Sequence, residues 1–531
     1  MLKYLLLALA IPALLLACGD DDDSPSPTPS ASADPTPSED AGPLGPAGRD
    51  LASAPSAFTI ETADPADLAV LSTGLAVADF NADDRPDLAV GISYADGPAN
   101  DKEDTGEVYV LFDTVSLSGT VVPSEETAGF TLYGVEREEF HGFQLAAGDL
   151  NADGVDDLVL TAPGITAGAD LRTDQGRVYV FFGGPDFGGV YDLSAGDEPW
   201  DFVLTGAEGF SRAGHTIDIG DINGDQTDDL IVGAPFAGRI PGSPPGGPRT
   251  GAGALYVIYG RADLSGEVNI AFDEPDFWVT NEEEFSQFAV SVAAGDLNAD
   301  GIDDIAIGAP QLDTDLGQES GSVFVFYGST SLPPIVASSD ADVIIRPAGE
   351  NDALGSKVAI LGRGDGAAAL VATATRAGGP EDGRPSAGEV YVLDVSTPGL
   401  IELATTAPAA LIYGTSAGMS LGQEVAVGDV DGDGAEDIAL GAPSAASRCG
   451  TLALAGMTLV VFGPDISGTI DPRGGDGFVW YEGNEADGQS GSPLFIGDAD
   501  GDDRDNLLIG AARSGPSGDR PGQIRSIEVS R

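Results

Sequence analysis

An acidic motif that recurs along the chain constrains its fold more than any other feature of the sequence. In the stretch GDLNADGVDDLVLTAP (148–163), positions 1, 3, 5 and 9 of a loop are occupied by Asp149, Asn151, Asp153 and Asp157, and an apolar run follows. Gly154 supplies the positive φ that a tight turn needs. Oxygen ligands at alternating positions favour a hard cation, and Ca²⁺ accepts six to eight oxygens, backbone carbonyls included. A solvated acidic turn is the alternative for one such loop.

The motif occurs six times, each time before an apolar run. The copies begin at Asp79, Asp149, Asp221, Asp296, Asp429 and Asp498. A seventh, degenerate copy begins at Lys357; it has Arg363, Gly364 and Ala369 where the carboxylates are expected, and its loop is one residue shorter. Copies separated by about 65 to 75 residues indicate a repeat architecture. We therefore expect seven repeats, of which six bind metal.

The apolar runs within each repeat indicate β-strands. In the second repeat they lie at 140–149, 157–163, 176–184 and 200–207, separated by clusters of Gly, Pro, Asn and Asp that are typical of turns. About 475 residues divided among seven repeats gives about 68 each, which suits a four-stranded antiparallel blade. The predicted fold class is all-β, a seven-bladed β-propeller of four-stranded antiparallel blades whose calcium-binding loops close hairpins.

The two ends of the repeat region predict how the ring closes. The last repeat stops one strand short of a blade, whereas a strand near residue 57 has no preceding partner. We expect the early strand to complete the last blade, because closure removes exposed sheet edges.

The N-terminal segment predicts export and a lipid anchor. Residues 1–17 have one Lys followed by an apolar run, which is typical of a signal peptide rather than a spanning helix. Residues 15–18 (LLAC) resemble a bacterial lipobox with Cys18 as the acylated residue; the alternative is an ordinary cleaved signal. The composition of residues 18–55 predicts a disordered acidic tether rich in Pro, Ser and Asp, and we expect residues 56–531 to form the propeller. We expect the protein at the bacterial cell envelope, facing the periplasm or the surface.

The strong negative charge excludes several classes of partner. Lys and Arg total 23 against 87 Asp and Glu, which gives a formal net charge of −64. Nucleic acid and anionic lipid headgroups are therefore excluded as partners, and the membrane is reached only through the N-terminal lipid. The predicted protein is a monomer that binds an unknown protein or glycan.

The repeats resemble the FG-GAP repeats of the integrin α-chain β-propeller and its bacterial relatives. Gly-Ala-Pro stands at 233–235, 308–310 and 441–443, and G-x-V-Y-V-F patterns follow the loops. In that family the loop between the first two strands of a blade holds calcium through the side chains at positions 1, 3, 5 and 9 and a backbone oxygen at position 7. The resemblance therefore implies up to six calcium ions.

The implied ligands follow loop by loop. They are Asp79, Asn81, Asp83, Arg85 and Asp87; Asp149, Asn151, Asp153, Val155 and Asp157; Asp221, Asn223, Asp225, Thr227 and Asp229; Asp296, Asn298, Asp300, Ile302 and Asp304; Asp429, Asp431, Asp433, Ala435 and Asp437; and Asp498, Asp500, Asp502, Arg504 and Asn506. Position 6 departs from glycine at Asp84, Gln226 and Asp503, and Asn506 replaces the last carboxylate.

Catalytic signals are sparse, and we expect no enzyme and no catalytic residue. The two histidines, His141 and His215, lack clear catalytic partners in the sequence, and no nucleophile elbow, zinc helix or phosphate loop occurs. The predicted function is a non-catalytic, calcium-stabilised binding or adhesion module. A calcium-dependent polysaccharide lyase or hydrolase and a structural envelope protein are the alternatives.

The resemblance also places the ligand-binding face. In the integrin family, ligands bind where the loops between second and third strands, and between fourth and first strands, meet. The second-to-third loops here are long and varied (92–106, 236–253 and 376–388) and hold several of the few arginines, namely Arg239, Arg249, Arg376 and Arg384. Variable loops on a rigid scaffold commonly carry binding, and the arginines favour an acidic or polar partner.

Overall fold

The structure is a computed structural model. It describes residues 49–51, 54, 56–62, 74–98, 104–135, 137–164, 174–207, 210–238, 251–363, 368–447, 452–464, 466–474, 477–483, 488–502, 504–511 and 522–529. The predicted signal peptide, Cys18, most of the tether and Asp503 lie outside these residues. Nearly all regular structure in the described part is β, with four short 3₁₀ helices at Thr114–Ser116, Leu193–Ala195, Ser338–Asp340 and Pro380–Asp382.

The strands are numbered in chain order. Those of the first half are β1 Arg49–Asp50, β2 Ser56–Glu61, β3 Leu75–Ala78, β4 Asp87–Ile92, β5 Glu107–Leu111, β6 Gly119–Val121, β7 Phe130–Tyr133, β8 Leu145–Gly148, β9 Asp157–Ala162, β10 Arg177–Phe181, β11 Gly189–Asp192, β12 Phe202–Thr205, β13 Thr216–Gly220, β14 Asp229–Ala234, β15 Ala254–Ile258, β16 Gly266–Asn269 and β17 Phe277–Thr280. Those of the second half are β18 Ser291–Gly295, β19 Asp304–Ala309, β20 Ser322–Phe326, β21 Ile335–Ala337, β22 Val343–Arg346, β23 Leu354–Leu361, β24 Ala369–Ala374, β25 Glu389–Leu393, β26 Gly399–Glu402, β27 Ala410–Tyr413, β28 Glu424–Gly428, β29 Asp437–Ala442, β30 Met457–Val461, β31 Gly468–Ile470, β32 Phe478–Glu482, β33 Ser490–Gly497, β34 Asn506–Ala511 and β35 Gln523–Ile527.

These strands form seven sheets, and the predicted seven-bladed β-propeller is confirmed. In order around the ring, the blades are β3-β4-β5-β7-β11, β8-β9-β10-β12-β16, β13-β14-β15-β17-β21, β18-β19-β20-β22-β26, β23-β24-β25-β27-β31, β28-β29-β30-β32-β1 and β33-β34-β35-β2-β6. We call them blades 1 to 7. The first four strands of each blade are antiparallel, as in the second blade, where β9 pairs antiparallel with β8 and β10.

Each blade has five strands, whereas the sequence predicts four. The fifth is a short strand that pairs in parallel with the fourth strand. In all blades but blade 6 it comes from the segment between the third and fourth strands of the following repeat, and in blade 6 it is β1, which precedes β2. In blade 1 this fifth strand is β11, which pairs with β7 in the register Gly189↔Phe130. Its first two residues are exposed and its last two half-buried, so the strand has no clear alternation of buried and exposed residues.

The N-terminal strand closes the ring, as predicted. β2 pairs antiparallel with β35 and supplies the fourth strand of blade 7. β1 pairs in parallel with β32, so pairing already begins at Arg49, within the segment that the sequence assigns to the tether. Two short N-terminal strands therefore hold the last two blades.

The hydrophobic core lies between neighbouring blades. In blades 1 to 6 the second strand is buried at every residue, as in β9, because apolar side chains cover both of its faces. One core cluster joins blades 2 and 3 and includes Leu204, Tyr256 and Trp278, with the last two rings 5.4 Å apart. In the described residues, no helix has the length and apolar character needed to cross a membrane.

Candidate metal centres and ligand face

The acidic loops close the hairpin between the first and second strands of a blade. In blade 2 the residue before position 1, Gly148, pairs with the position-9 residue, Asp157. The same register joins Gly220 to Asp229 and Gly428 to Asp437. Positions 1 and 9 therefore stand at the mouth of each loop. We call the end of the ring that carries these loops the acidic face, and the opposite end the connecting face.

The position-1 carboxylate folds each loop onto itself. Asp149 accepts the backbone N–H groups of Asp153 (3.0 Å) and Gly154 (2.8 Å). Asp79, Asp221, Asp296, Asp429 and Asp498 accept N–H groups from the same part of their loops. Such bonds wrap the backbone of each loop around its first carboxylate.

The departures from glycine at position 6 leave the loop shape intact where the structure describes them. Asp84 has a φ of 62° and Gln226 a φ of 71°, in the same left-handed region as Gly154 at 86°. The turn is therefore retained at the expense of some backbone strain.

The position-3 oxygen is the atom that most clearly fits a metal. Four position-3 side chains have a buried oxygen atom that no group in the described structure hydrogen-bonds: Asn81 Oδ1, Asn151 Oδ1, Asn298 Oδ1 and Asp500 Oδ1. A buried oxygen without a partner costs about 1 to 3 kcal/mol. The same loop position recurs in four blades, and an oxygen-seeking cation suits this donor set.

The position-9 side chain anchors the loop to the sheet. Asp157 is fully buried and accepts the N–H groups of Leu150 (3.0 Å) and Gly183 (2.9 Å), and the amide of Asn151 (3.2 Å). In the last loop the two residue types are exchanged, and Asn506 Nδ2 donates to Asp500 at 3.2 Å. Replacement of the final carboxylate by Asn506 is therefore matched by a carboxylate at position 3.

Two loops bring three carboxylates together in the absence of an ion. Oxygens of Asp429, Asp431 and Asp433 lie within 4.8 Å of one another, and so do those of Asp498, Asp500 and Asp502. The loop at 498–506 departs most from the pattern, yet it keeps the same convergence. At position 7, the side chains of Arg85 and Arg504 turn to Asp113 and to the carbonyl of Asp431, so this position offers the loop its backbone only.

Burial raises the pKa of every position-9 carboxyl. For Asp157, burial is the main cause and the charges of Asp153 and Asp149 add to it, against two N–H donors that lower it, so that its pKa lies at about 7. The pKa is raised to about 7 for Asp229, Asp304 and Asp437, and to about 6 for Asp87. Without a cation, the folded state therefore favours the protonated forms.

These shifts predict how pH acts on the calcium-free protein. The pKa of each of these carboxyls is higher in the folded state than its value of about 4 in the unfolded chain. Protonation of these carboxyls therefore stabilises the folded state fully below pH 4, and this stabilisation is lost as pH rises through about 7. In chelator, we expect the melting temperature to fall between pH 4 and pH 7. The stabilisation by added calcium should grow over the same window, because calcium needs deprotonated ligands. Melting curves at pH 4, 5.5 and 7 test this, and a melting temperature in chelator that rises with pH would contradict it.

The degenerate repeat has a shorter loop, as predicted. In blade 5, Leu361 pairs with Ala369, which leaves seven residues (362–368) between the strands, whereas blade 2 has eight (149–156). Residues 364–367, among them Asp365, lie outside the described part of the chain.

The two histidines are withdrawn from solvent to different degrees. His141 is fully buried and its Nδ1 lies 3.1 Å from the carbonyl oxygen of Thr105; burial lowers its pKa. His215 is half-buried between Phe143 and Phe236, and burial lowers its pKa to about 3. Both rings therefore pack in the connections of the connecting face as neutral groups.

The arginines that lie in the described second-to-third loops are already paired. Arg384 is almost fully buried, donating to the carbonyl of Gly414 and to Asp471. Arg376 pairs with Glu319. The charges of these two arginines are therefore used within the protein. Arg239 and Arg249 lie outside the described residues, and the acidic or polar partner stays a prediction.

Exposed aromatic rings mark the connecting face instead. Phe210 and Phe285 lie in the connections that lead into blades 3 and 4, and they are 51% and 60% exposed. Their φ angles of 67° and 62° place both in the left-handed region, which bulky residues seldom adopt. The sequence did not single out these residues, because their exposure and backbone strain are visible only in the fold.

Comparison with known proteins agrees with this architecture. The FG-GAP repeat model matches residues 72–111, 141–181, 213–258, 288–326 and 421–451. The protein is an FG-GAP β-propeller. The matches cover blades 1 to 4 and blade 6; the degenerate blade 5 and blade 7, which is shared between the two ends of the repeat region, have no matched segment.

Relatives of this FG-GAP propeller include longer proteins whose functions differ from one another. A phosphatidylinositol-glycan-specific phospholipase D of Dictyostelium discoideum is 26% identical over 253 residues, 45% of this chain and 25% of the relative. Integrin alpha-5 of Xenopus laevis is 28% identical over 211 residues, 39% of this chain and 18% of the relative. The chain thus matches at most about a quarter of the length of these relatives. The solved structure of an exotype rhamnogalacturonan lyase aligns with 86% of this chain and 72% of its own at 11% identity, with a TM-score of 0.37, too low to support an argument.

Proposed function

We propose that the protein is a non-catalytic binding or adhesion module, stabilised by calcium in up to six loops and anchored by lipid on Cys18 at the bacterial cell envelope. The calcium part is supported by the four unpartnered position-3 oxygens at the acidic face. The ions would be held by the loops at 79–87, 149–157, 221–229, 296–304, 429–437 and 498–506. When bound, calcium would neutralise the convergent carboxylates and fix the hairpins.

Ligand binding is assigned to the connecting face. The observation that carries this assignment is the pair of strained, exposed rings, Phe210 and Phe285, because large apolar groups are seldom held in such a conformation without a use. Similarity to an integrin α-chain agrees with a binding role. Burial lowers the pKa of both His141 and the half-buried His215, and their neutral state supports a non-catalytic role.

A binding assay with matched variants tests this assignment. Residues 50–531 are applied to a glycan array and used for a cell-surface pull-down, with calcium and with chelator. Binding should require calcium and should fall at least about tenfold in the variant Phe210→Ala, Phe285→Ala, since exposed aromatic anchors contribute 1 to 2 kcal/mol or more each. Phe272→Ala is the control, because Phe272 is 80% exposed but lies between β16 and β17, outside those connections.

The same experiment separates the alternatives. Turnover of an anionic polysaccharide would favour a lyase or hydrolase. Absence of binding to both the glycan array and the cell surface, with calcium present, would contradict adhesion and favour a structural envelope protein. Equal loss in Phe272→Ala and in the double variant would contradict the assignment to the connecting face.

Anchoring by lipid predicts a clear fractionation result. Cys18→Ser should move the protein from the membrane fraction to the soluble fraction, because lipidation would be its only strong contact with a bilayer. Cys449→Ser is the matched control, since it removes the only other cysteine. Immunoblots of membrane and soluble fractions measure the change. Full membrane association of Cys18→Ser would contradict the lipid anchor.

A further inference from the structure

The residue at position 8 of the loops is acidic without belonging to the ligand set. The calcium pattern uses positions 1, 3, 5, 7 and 9, and position 8 precedes the buried position-9 anchor. Its residues in the acidic loops other than the first are Asp156, Asp228, Asp303, Glu436 and Asp505. Pro86 occupies this position in the first loop and Ala368 in the degenerate blade 5.

Four of these carboxylates reach across to the preceding blade. Each accepts the backbone N–H of the residue at position 1, or its equivalent, in the neighbouring hairpin. The pairs, with the donor first, are Asp149 and Asp228 (3.0 Å), Asp221 and Asp303 (3.1 Å), Asp429 and Asp505 (2.8 Å), and Gly362 and Glu436.

The glycine before position 1 makes room for the neighbouring carboxylate. A Cβ on Gly148 or Gly220 would lie 2.8 Å from the Oδ2 of Asp228 or Asp303, respectively. On Gly428 it would lie 2.6 Å from Asp505. These distances are shorter than the contacts that real Cβ atoms make. A side chain at this glycine would therefore clash with the carboxylate of the next blade. Ala78 replaces this glycine in blade 1.

Backbone contacts reinforce the junctions. The N–H of Asp303 donates to the carbonyl of Asp221 at 3.0 Å, and the N–H of Ser329 donates to the carbonyl of Ile222 at 3.0 Å. At the junction of blades 2 and 3, the N–H of Arg261 donates to the carbonyl of Leu150 at 2.9 Å. A loop that shifts must therefore disturb hydrogen bonds of its neighbour.

We propose that the position-8 carboxylates couple calcium binding between adjacent blades. This inference rests on the proposed calcium sites. Asp228 and Asp303 join the sites of blades 2, 3 and 4 into one cooperative group, and Asp505 joins those of blades 6 and 7 into a second. The site of blade 1 is independent, because Ala78 fills the space on one side and Pro86 offers no carboxylate on the other.

The coupling follows from the place of Asp228 in the chain. Asp228 is the neighbour in sequence of Asp229, a ligand of its own loop, and it binds the N–H of Asp149, a ligand of the preceding loop. An ion that fixes Asp229 therefore also fixes the acceptor that positions Asp149.

Calcium titrations followed by hydrogen exchange of the loop peptides, in the full chain, test this coupling. Asp228→Ala should raise the calcium midpoint of the 149–157 loop about fivefold, within the usual range of coupling between sites. The 79–87 loop should not change. Asp228→Asn should restore the midpoint, because an amide oxygen accepts the same N–H. Asp221→Ala, which removes the site in blade 3, should raise the calcium midpoint of the 149–157 loop in the otherwise wild-type protein. In a protein that already carries Asp228→Ala, it should raise this midpoint no further.

A matched control and a second junction complete the design. Glu436→Ala removes the same kind of contact, but its partner, Gly362, lies in the loop without the ligand set, so the midpoints of blades 2, 3 and 4 should not change. Asp505→Ala should raise the midpoint of the 429–437 loop, which tests the inference even if Asp228→Ala fails to fold. Calcium-dependent protection that is insensitive to Asp228 and Asp505 would overturn the coupling alone. Absence of calcium-dependent protection in every loop would overturn the calcium sites as well.

Discussion

Removal of calcium is expected to lower the melting temperature of the protein by roughly 10 °C or more. A ligand at 100 times its Kd that binds only the folded state adds about 2.7 kcal/mol, and several sites act in one ring. The physical reason is the cost of the loops without calcium: in the loops at 429–437 and 498–506, oxygens of three carboxylates lie within 4.8 Å of one another, and buried oxygens such as that of Asn151 have no hydrogen-bond partner in the described structure. Melting in calcium and in chelator measures the effect.

Ion counting by native mass spectrometry assigns the effect to the loops. Asp149→Ala, Asp296→Ala and Asp429→Ala should each lower the bound calcium by about one ion. The control is Asp365→Ala, because this carboxylate stands in the degenerate repeat without the other ligands. A protein that carries no calcium and melts identically in chelator would show that the carboxylates are solvated turns.

The sequence was sufficient to predict the fold because each repeat encodes it locally. The acidic loop sets the position of one hairpin, the apolar runs give four strands, and the period gives the number of blades. Ring closure by β2 was also predictable, since the strand count was one short in the last repeat and one in excess before the first.

The fifth strand of each blade could not be predicted in the same way. β11 has only four residues, and Val190 in its centre is 50% exposed. Its pairing with β7 depends on contact with the preceding blade rather than on its own pattern. A short strand that is held from one side leaves almost no periodicity in the sequence.

The candidate sites likewise include features that the sequence predicts and features that only the fold shows. The ligand positions follow from spacing within one loop, whereas the role of position 8 and the strain at Phe285 arise between loops that are distant in the chain. The two loop arginines show the converse: the sequence placed Arg376 and Arg384 in long loops, but only the fold shows the acidic partners that already neutralise them.

Weakening the strand that closes the ring is expected to destabilise the protein by about 5 kcal/mol or more. Phe58 and Ile60 of β2 are fully buried in the cluster that joins blades 7 and 1. Truncation of a buried Phe or Ile to Ala usually costs about 3 to 5 and 2 to 5 kcal/mol, respectively, through lost burial and the cavity that remains. The variant Phe58→Ala, Ile60→Ala thus weakens the contact on which closure depends.

Thr59→Ala is the matched control for this variant. Thr59 lies between the two core residues on the other face of β2 and is only half-buried, so its loss should cost less than about 1 kcal/mol. Denaturant unfolding gives the free energies, and hydrogen exchange should show β33, β34 and β35 losing protection first, because β2 pairs with β35. If the double variant is no less stable than Thr59→Ala, the ring does not depend on its N-terminal strand, and blade 7 must be held by its three C-terminal strands and by blade 6.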